Sequence, residues 1–141
     1  MMNILEKNVF GEKMLLVPAD KQEYHEFIRL LRNDPRVVDG FIQNSYITAE
    51  QQKEYMKKYS NCFFICLIDG LPAGYVGVID DDIRVATHPD YQKRGVGKFM
   101  LEQIKNKFPN ALAKIKITNE ACLKLFESSG FKVKYYLLER E

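Results

Sequence analysis

The stretch Ile83-Arg84-Val85-Ala86-Thr87-His88-Pro89-Asp90-Tyr91-Gln92-Lys93-Arg94-Gly95-Val96-Gly97-Lys98 decides how the rest of the chain is read. Ile83–Thr87 reads as a strand, Pro89 interrupts it, and two glycines follow. From Val96 the apolar positions recur at helical spacing, which predicts a helix to about Phe108. A strand that runs through such a loop into a helix leaves the first-turn amides unpaired. They point one way, with the positive end of the helix dipole behind them. Glycine lets a ligand come close to that backbone, so the junction is suited to an anion. Lys93, Arg94 and Lys98 add full positive charge around it.

Two familiar phosphate loops do not fit. Gln92 stands where the GxxxxGK[ST] loop needs its first glycine, and Phe99 replaces the Ser/Thr that would hold magnesium. Met100 occupies the third glycine position of GxGxxG. The glycines alone are equally those of a plain strand–loop–helix turn.

Working outward, Val9–Pro18 reads as a first strand. Asp20 with Glu23 predicts a capping box for a helix through about Leu31, stopped by Asn33-Asp34-Pro35. Thr48 with Gln51 predicts a second, opening a helix to about Tyr59. Cys62–Ile68 and Ala73–Ile79 are apolar runs flanking Asp69-Gly70, a hairpin signal, with Pro72 expected to lengthen the loop. Asp80-Asp81-Asp82 turns the chain into Ile83–Thr87. Beyond the glycine loop, Leu112–Ile117 reads as a strand, Asn119–Ser129 as a helix ended by Gly130, and Phe131–Leu138 as a closing strand. The expected fold class is α+β, three-layer α/β/α. Its central sheet is mixed, mostly antiparallel and twisted, with six to seven strands and helices on both faces.

The chain has 141 residues, 46% of them hydrophobic and 28% charged, enough apolar material for one core spanning residues 1–141. A net charge of +2 argues neither for nucleic acid nor for membrane. That total hides a division: residues 1–91 carry 10 basic and 14 acidic side chains, residues 92–141 carry 11 and 5. The opening Met1–Lys7 lacks the pattern of a signal peptide, and no apolar run approaches the roughly 20 residues needed to span a bilayer. The cytoplasm is the expected compartment. Cys62 and Cys66 read as small buried side chains sharing one strand face. No Cys/His cluster suggests a metal.

The segment Gln92-Lys93-Arg94-Gly95-Val96-Gly97 resembles the QxxGxG signature of the GNAT superfamily of acetyltransferases, whose members cradle the pyrophosphate of acetyl-CoA there. The lead-in Val85–Tyr91 is similar to the approach in that family. Asn119–Phe131 is similar to its last helix, from the Asn start to the closing Gly-Phe. The resemblance implies acetyl-CoA as cosubstrate, held by the strand backbone at Val85, Ala86 and Thr87. It also implies contacts from the loop Gln92, Lys93, Arg94, Gly95, Val96, Gly97 and Lys98, from Asn119, and at Phe126. Asn119 is equally a plain N-cap. The implied reaction is attack of a neutral amine on a thioester, needing a base, an oxyanion donor and a proton for the thiolate. A backbone N–H near Val85 or Thr87 is the natural oxyanion donor.

Many members carry a Tyr acid seven residues after that Asn; here the position is Phe126. Tyr135, Tyr136, Tyr75 or water must then supply the proton, or the chain is a weak or repurposed member. Among these Tyr136 is the candidate catalytic tyrosine. The family's acidic base position corresponds to Asp81, with Asp82 beside it, although three aspartates at a hairpin are equally a solvated turn. His88 is a lesser candidate base. Acceptor recognition is expected from the segment between the first two helices. There Arg32 and Tyr46, with Arg36 and Asn44, could bind the phosphates and hydroxyls of an amino sugar or nucleotide-linked amino sugar. An N-terminal peptide acceptor and a non-catalytic acyl-CoA-binding module are the competing readings. The expected partner is a small-molecule amine, with no nucleic acid and no membrane, and the protein a monomer or homodimer.

Overall fold

A computed structural model describes residues 4–141, so Met1–Asn3 of the leader reading lie outside the described residues. Five strands form one antiparallel sheet in chain order: β1 (Ile4–Lys7), β2 (Lys13–Pro18), β3 (Phe63–Ile68), β4 (Leu71–Ile79) and β5 (Asp82–Thr87). Helices α1 (Gln22–Asn33) and α2 (Ala49–Tyr59) connect β2 to β3; α3 (Val96–Lys107) and α4 (Glu120–Ser128) follow β5.

Period-two alternation along the strands sorts the core. Met14, Leu16, Phe64, Cys66, Val76, Val78 and Ile83 pack with α3 and with Phe126 of α4. Phe63, Ile65 and Tyr75 pack with Tyr24, Ile28 and Leu31 of α1 and Met56 of α2. The middle strand β3 is buried on both faces, which is why its sequence is almost uninterruptedly apolar.

Several boundaries differ from those expected. The strand read as Val9–Pro18 is a hairpin, β1–β2, because Asn8 Oδ1 accepts the amides of Phe10 and Glu12, both at 3.0 Å, and holds a turn. Val9 sits in that turn, exposed. Helix α1 starts from Lys21 with no side-chain cap, so the Asp20–Glu23 box does not form; the Thr48–Gln51 box does. Pro72 does not lengthen the Asp69-Gly70 turn. Both turn residues adopt positive φ, 45° and 86°, Ile68 pairs with Leu71, and a register shift beside Leu67 absorbs the proline. Cys62 lies in a single 3₁₀ turn rather than on the strand with Cys66.

The expected sheet of six to seven strands is corrected to five among the described residues, all antiparallel. Leu112 forms one isolated parallel bridge with Asp82: Ile83 N–H bonds Leu112 O at 2.9 Å and Leu112 N–H bonds Asp81 O at 2.8 Å. The pairing then stops. Ala113 and Ile115 still pack against the core, but Ile117 is exposed and Lys116 donates to Asp39 O at 2.9 Å. The segment therefore alternates without a ladder. Residues 132–138 carry strand-forming side chains with no partner strand among the described residues, and Tyr135, Tyr136 and Leu138 stand exposed.

Candidate active site

The unpaired edge of β5 is the starting point. Alternate residues of an antiparallel strand turn both N–H and C=O to the same side. Ile83 turns outward to Leu112, so Val85 and Thr87 do too, and among the described residues no strand meets them. Ala86 turns its main chain inward to Tyr75 of β4. Beyond Thr87, His88 donates its N–H to Ala73 O at 2.8 Å, and Pro89–Tyr91 forms one 3₁₀ turn capped by His88 Nδ1.

The glycine loop then curls through two left-handed residues, Lys93 (φ 62°) and Gly95 (φ 85°). Gly95 is the N-cap of α3, a backbone state that costs a residue with a Cβ about 1–2 kcal/mol. The first intrahelical bond of α3 is Phe99 N–H to Gly95 O, 2.9 Å, which leaves the amides of Val96, Gly97 and Lys98 outside the helical ladder. They lie at the positive end of the helix dipole.

Facing this edge, the N-terminus of α4 carries Asn119. Its Oδ1 caps Cys122 N–H at 3.1 Å and its Nδ2 donates to Gly40 O at 3.2 Å. The α1–α2 connection is thereby pinned across the opening, with Lys116 bonded to Asp39 O as a second tie. A Cβ on Gly40 would lie 2.8 Å from Asn119 Nδ2, so a side chain there would have to shift the amide that makes this tie.

These elements enclose about 650 Å³. The lining brings together Val85, Ala86, Thr87, Gln92, Lys93, Gly95, Val96, Gly97, Lys98 and Asn119, all singled out from sequence. Arg36, expected on the acceptor side, joins them, with groups that no motif marks: Asp39 and Phe41 from the α1–α2 connection, and Cys122 and Leu125 from α4. Burial pushes the Cys122 thiol up, so it stays neutral.

Other expected site residues lie elsewhere. The Arg94 guanidinium bonds Glu12 at 3.0 Å and lies over the Tyr91 ring at 5.3 Å, outside the lining. Phe126 is buried in the core, edge-to-face on Phe131 at 5.1 Å. Asp81 is the exposed second residue of a tight turn, with φ 63°. Asp82 is half-buried on the α1–α2 face, with Oδ2 bonded to Arg84 Nε at 3.0 Å and Oδ1 buried without a partner. Tyr136 is exposed and not part of the lining. Tyr46 is exposed and touches Arg29 at 3.4 Å. Arg32 stacks over Phe41, 4.8 Å from its ring centre, at the edge of the cavity. His88 faces a separate shallow groove between Phe27 and Tyr91. Among the described residues no three His, Cys, Asp or Glu side chains are placed to hold a metal, and no helix is long and apolar enough to cross a membrane.

Comparison with known proteins bears on the fold and the family. Residues 59–133 match the family model described as an acetyltransferase (GNAT) domain. Among solved structures, spermidine N-acetyltransferase from Vibrio cholerae, in complex with CoA and spermine, superposes with a TM-score of 0.76 at 16% identity. That match covers 90% of this chain and 85% of the other. A Salmonella typhimurium protein solved with its cofactor acetyl-CoA gives 0.71 at 19% identity, covering 86% and 81%. An aminoglycoside acetyltransferase from an uncultured soil metagenomic sample gives 0.64 at 15%, covering 92% and 94%. At such identities the likeness is one of fold. No curated protein matches the chain.

Proposed function

From the premise that this chain belongs to the GNAT acetyltransferase family, we propose that it transfers the acetyl group of acetyl-CoA to the primary amine of a small molecule, with an amino sugar or nucleotide-linked amino sugar as the acceptor class. One observation carries the reading: the open edge of β5 and the free amides of α3 line the same cavity. The pyrophosphate takes the amides of Val96, Gly97 and Lys98, with Lys93 and Lys98 supplying charge. The pantetheine arm runs along β5 as an added strand, pairing with Val85 and Thr87.

The acceptor nitrogen forms a bond to the acetyl carbon as the carbon–sulfur bond breaks. Sulfur leaves with the electron pair and is protonated, and the attacking nitrogen gives up a proton. A β5 amide beside the thioester stabilises the oxyanion. Asp82 is the carboxylate put forward for the nitrogen's proton, acting through water from Oδ1, and Asp39 of the cavity lining is the other. Phe126 has no hydroxyl and points into the core, so thiolate protonation falls to solvent. General acid assistance is worth roughly 10²–10⁴-fold, and its loss slows the reaction without ending it.

The test pairs binding with turnover. Acetyl-CoA raises Tm, and the charge-reversing pair Lys93→Glu/Lys98→Glu weakens the shift. Both side chains are exposed and in no ion pair among the described residues, so unliganded stability should change little. Thiol release is then measured over amino sugars, their nucleotides, polyamines, amino acids and peptides. Absence of any Tm shift at millimolar acetyl-CoA defeats the reading. A shift with no thiol release over the whole panel replaces it with a non-catalytic acyl-CoA-binding module, the reading that the buried Phe126 favours. Release with peptides alone replaces the small-molecule acceptor with a peptide terminus.

A further inference from the structure

A neutral amine that attacks a thioester becomes cationic as the new bond forms, so a proton acceptor must stand beside it. The cavity holds few groups able to act. Its ionisable lining residues are Arg36, Asp39, Tyr91, Lys93, Lys98 and Cys122. Arginine and lysine are donors only, and a tyrosine phenol is neutral by type near pH 7. Burial pushes the Cys122 thiol up, which keeps it neutral as well. Asp39 is the single carboxylate of the lining.

Of the two carboxylates named for the nitrogen's proton, Asp82 is the worse placed. It is not part of the lining; one oxygen bonds Arg84 Nε at 3.0 Å and the other is buried, so any transfer to it needs an intervening water. Asp39 is exposed, and among the described residues no ion pair engages its carboxylate. Nearby Arg36 is already committed to Asp34 at 2.7 Å and to Asp90 at 3.5 Å.

The main chain of Asp39 is nonetheless fixed. It is the middle residue of the 3₁₀ turn Val38–Gly40, where Gly40 N–H bonds Val37 O at 3.0 Å and Phe41 N–H bonds Val38 O at 3.2 Å. From outside the turn, Lys116 Nζ donates to Asp39 O at 2.9 Å and Asn119 Nδ2 to Gly40 O at 3.2 Å. Both ties use carbonyls and leave the carboxylate unoccupied. An aspartate has few side-chain torsions, so on a braced turn it samples a short arc, as a group that must meet a bound amine requires.

We propose that Asp39 is the carboxylate that receives the acceptor's proton. The assignment rests on the acetyl-transfer reading above and names the group that completes it. The nitrogen lone pair forms the bond to the acetyl carbon, and the carbonyl π pair moves to oxygen. The N–H is thereby acidified; its proton passes to an Asp39 oxygen and its electron pair returns to nitrogen. The carbonyl then re-forms and the carbon–sulfur bond breaks with its pair on sulfur. Asp39 returns its proton to solvent, and solvent protonates the thiolate.

The experiment uses thiol release with whichever amine of the panel gives the highest kcat/KM. Asp39→Asn keeps the shape and removes the base, so kcat should fall about 10²-fold or more. Tm should hold, and calorimetry should find acetyl-CoA bound as tightly as by wild type or more so. Asp39→Glu should keep part of the rate. Asp39→Ala leaves room for a small carboxylate, so added formate should raise its rate where sodium chloride at equal strength does not; an aspartate with a merely structural role gives no such rescue. A kcat for Asp39→Asn within about threefold of wild type, a fall explained by weakened acetyl-CoA binding, absence of formate rescue, or a larger loss in Asp82→Asn overturns the assignment. A wild-type protein that releases no thiol with any amine removes the acetyl-transfer reading itself, and the role of Asp39 with it.

Discussion

Phe126 shows how much one side chain's direction matters. In many GNAT members the equivalent position is a tyrosine that protonates the departing thiolate, and restoring a hydroxyl looks like a simple repair. The ring here is 3% exposed, packs edge-to-face on Phe131 within the core, and is not part of the cavity lining. Phe126→Tyr should therefore leave kcat unchanged within about twofold. It should lower Tm by several degrees, because a hydroxyl buried without a partner costs about 1–3 kcal/mol. Stopped thiol-release rates and a melting curve check both halves; a tenfold or greater rise in kcat would place the ring in the cavity instead. Sequence alone identified the residue and its missing proton but not where its ring points, because helical spacing fixes the face and not the depth of burial. Asp81 and Asp82 make the same point. As neighbours in the sequence they are indistinguishable, yet a two-residue turn leaves Asp81 in solvent and turns Asp82 under Arg84.

At the scale of elements, the segments legible in advance were those whose local chemistry settles their state. The Thr48 cap, the Asp69-Gly70 turn, the αL glycine before α3 and the Asn119 cap all depend on interactions within a few residues. Leu112–Ile117 and Phe131–Leu138 have the composition of strands, but a strand exists only through its neighbour, and the pairing beyond Leu112 is not formed. The α1–α2 connection is the expected acceptor-selecting segment, and its Arg36, Val37, Asp39, Gly40 and Phe41 line one side of the cavity. Nothing local announces that, since the tie is the 79-residue contact from Asn119 Nδ2 to Gly40 O. That contact makes Gly40 a positioning residue. Gly40→Ala puts a methyl 2.8 Å from Asn119 Nδ2 and must displace the connection or the amide. The expected outcome is an acceptor KM raised about three- to tenfold with a smaller change in kcat, as befits lost binding rather than lost chemistry. A merely structural glycine would instead lower Tm and leave KM unchanged. Asn119→Ala removes the same tie and also the cap, so it should add a stability loss of about 1 kcal/mol, read from the denaturation midpoint.

Across the whole molecule, a net charge of +2 conceals acidic and basic halves of the chain, and folding decides how they meet. Lys93 and Lys98 remain free to face an anionic cofactor, whereas Arg94, the third cation of the loop, is bonded to Glu12 on the β1–β2 turn, 82 residues away. The acidic half thus withdraws one positive charge from the proposed phosphate site. Both partners are partly exposed, so the pair itself stabilises the fold by no more than about 1 kcal/mol. Its larger effect is on the field at the loop. Glu12→Gln keeps the hydrogen-bonding shape near Asn8 but releases the charge of Arg94, which should strengthen acetyl-CoA binding about two- to fivefold at low salt. Exposed charges are screened over about 30 Å at 0.01 M salt and about 3 Å at 1 M. The gain should therefore shrink towards nothing at about 0.5 M, and wild-type affinity should weaken over the same range. Lys93→Glu/Lys98→Glu should bind weakly throughout and respond least to salt. Titration calorimetry of acetyl-CoA against the three proteins at both salt levels measures this directly. A Glu12→Gln protein with the wild-type Kd at low salt would mean that Arg94 contributes nothing to the phosphate site even when released, leaving Lys93, Lys98 and the helix amides to hold the cofactor.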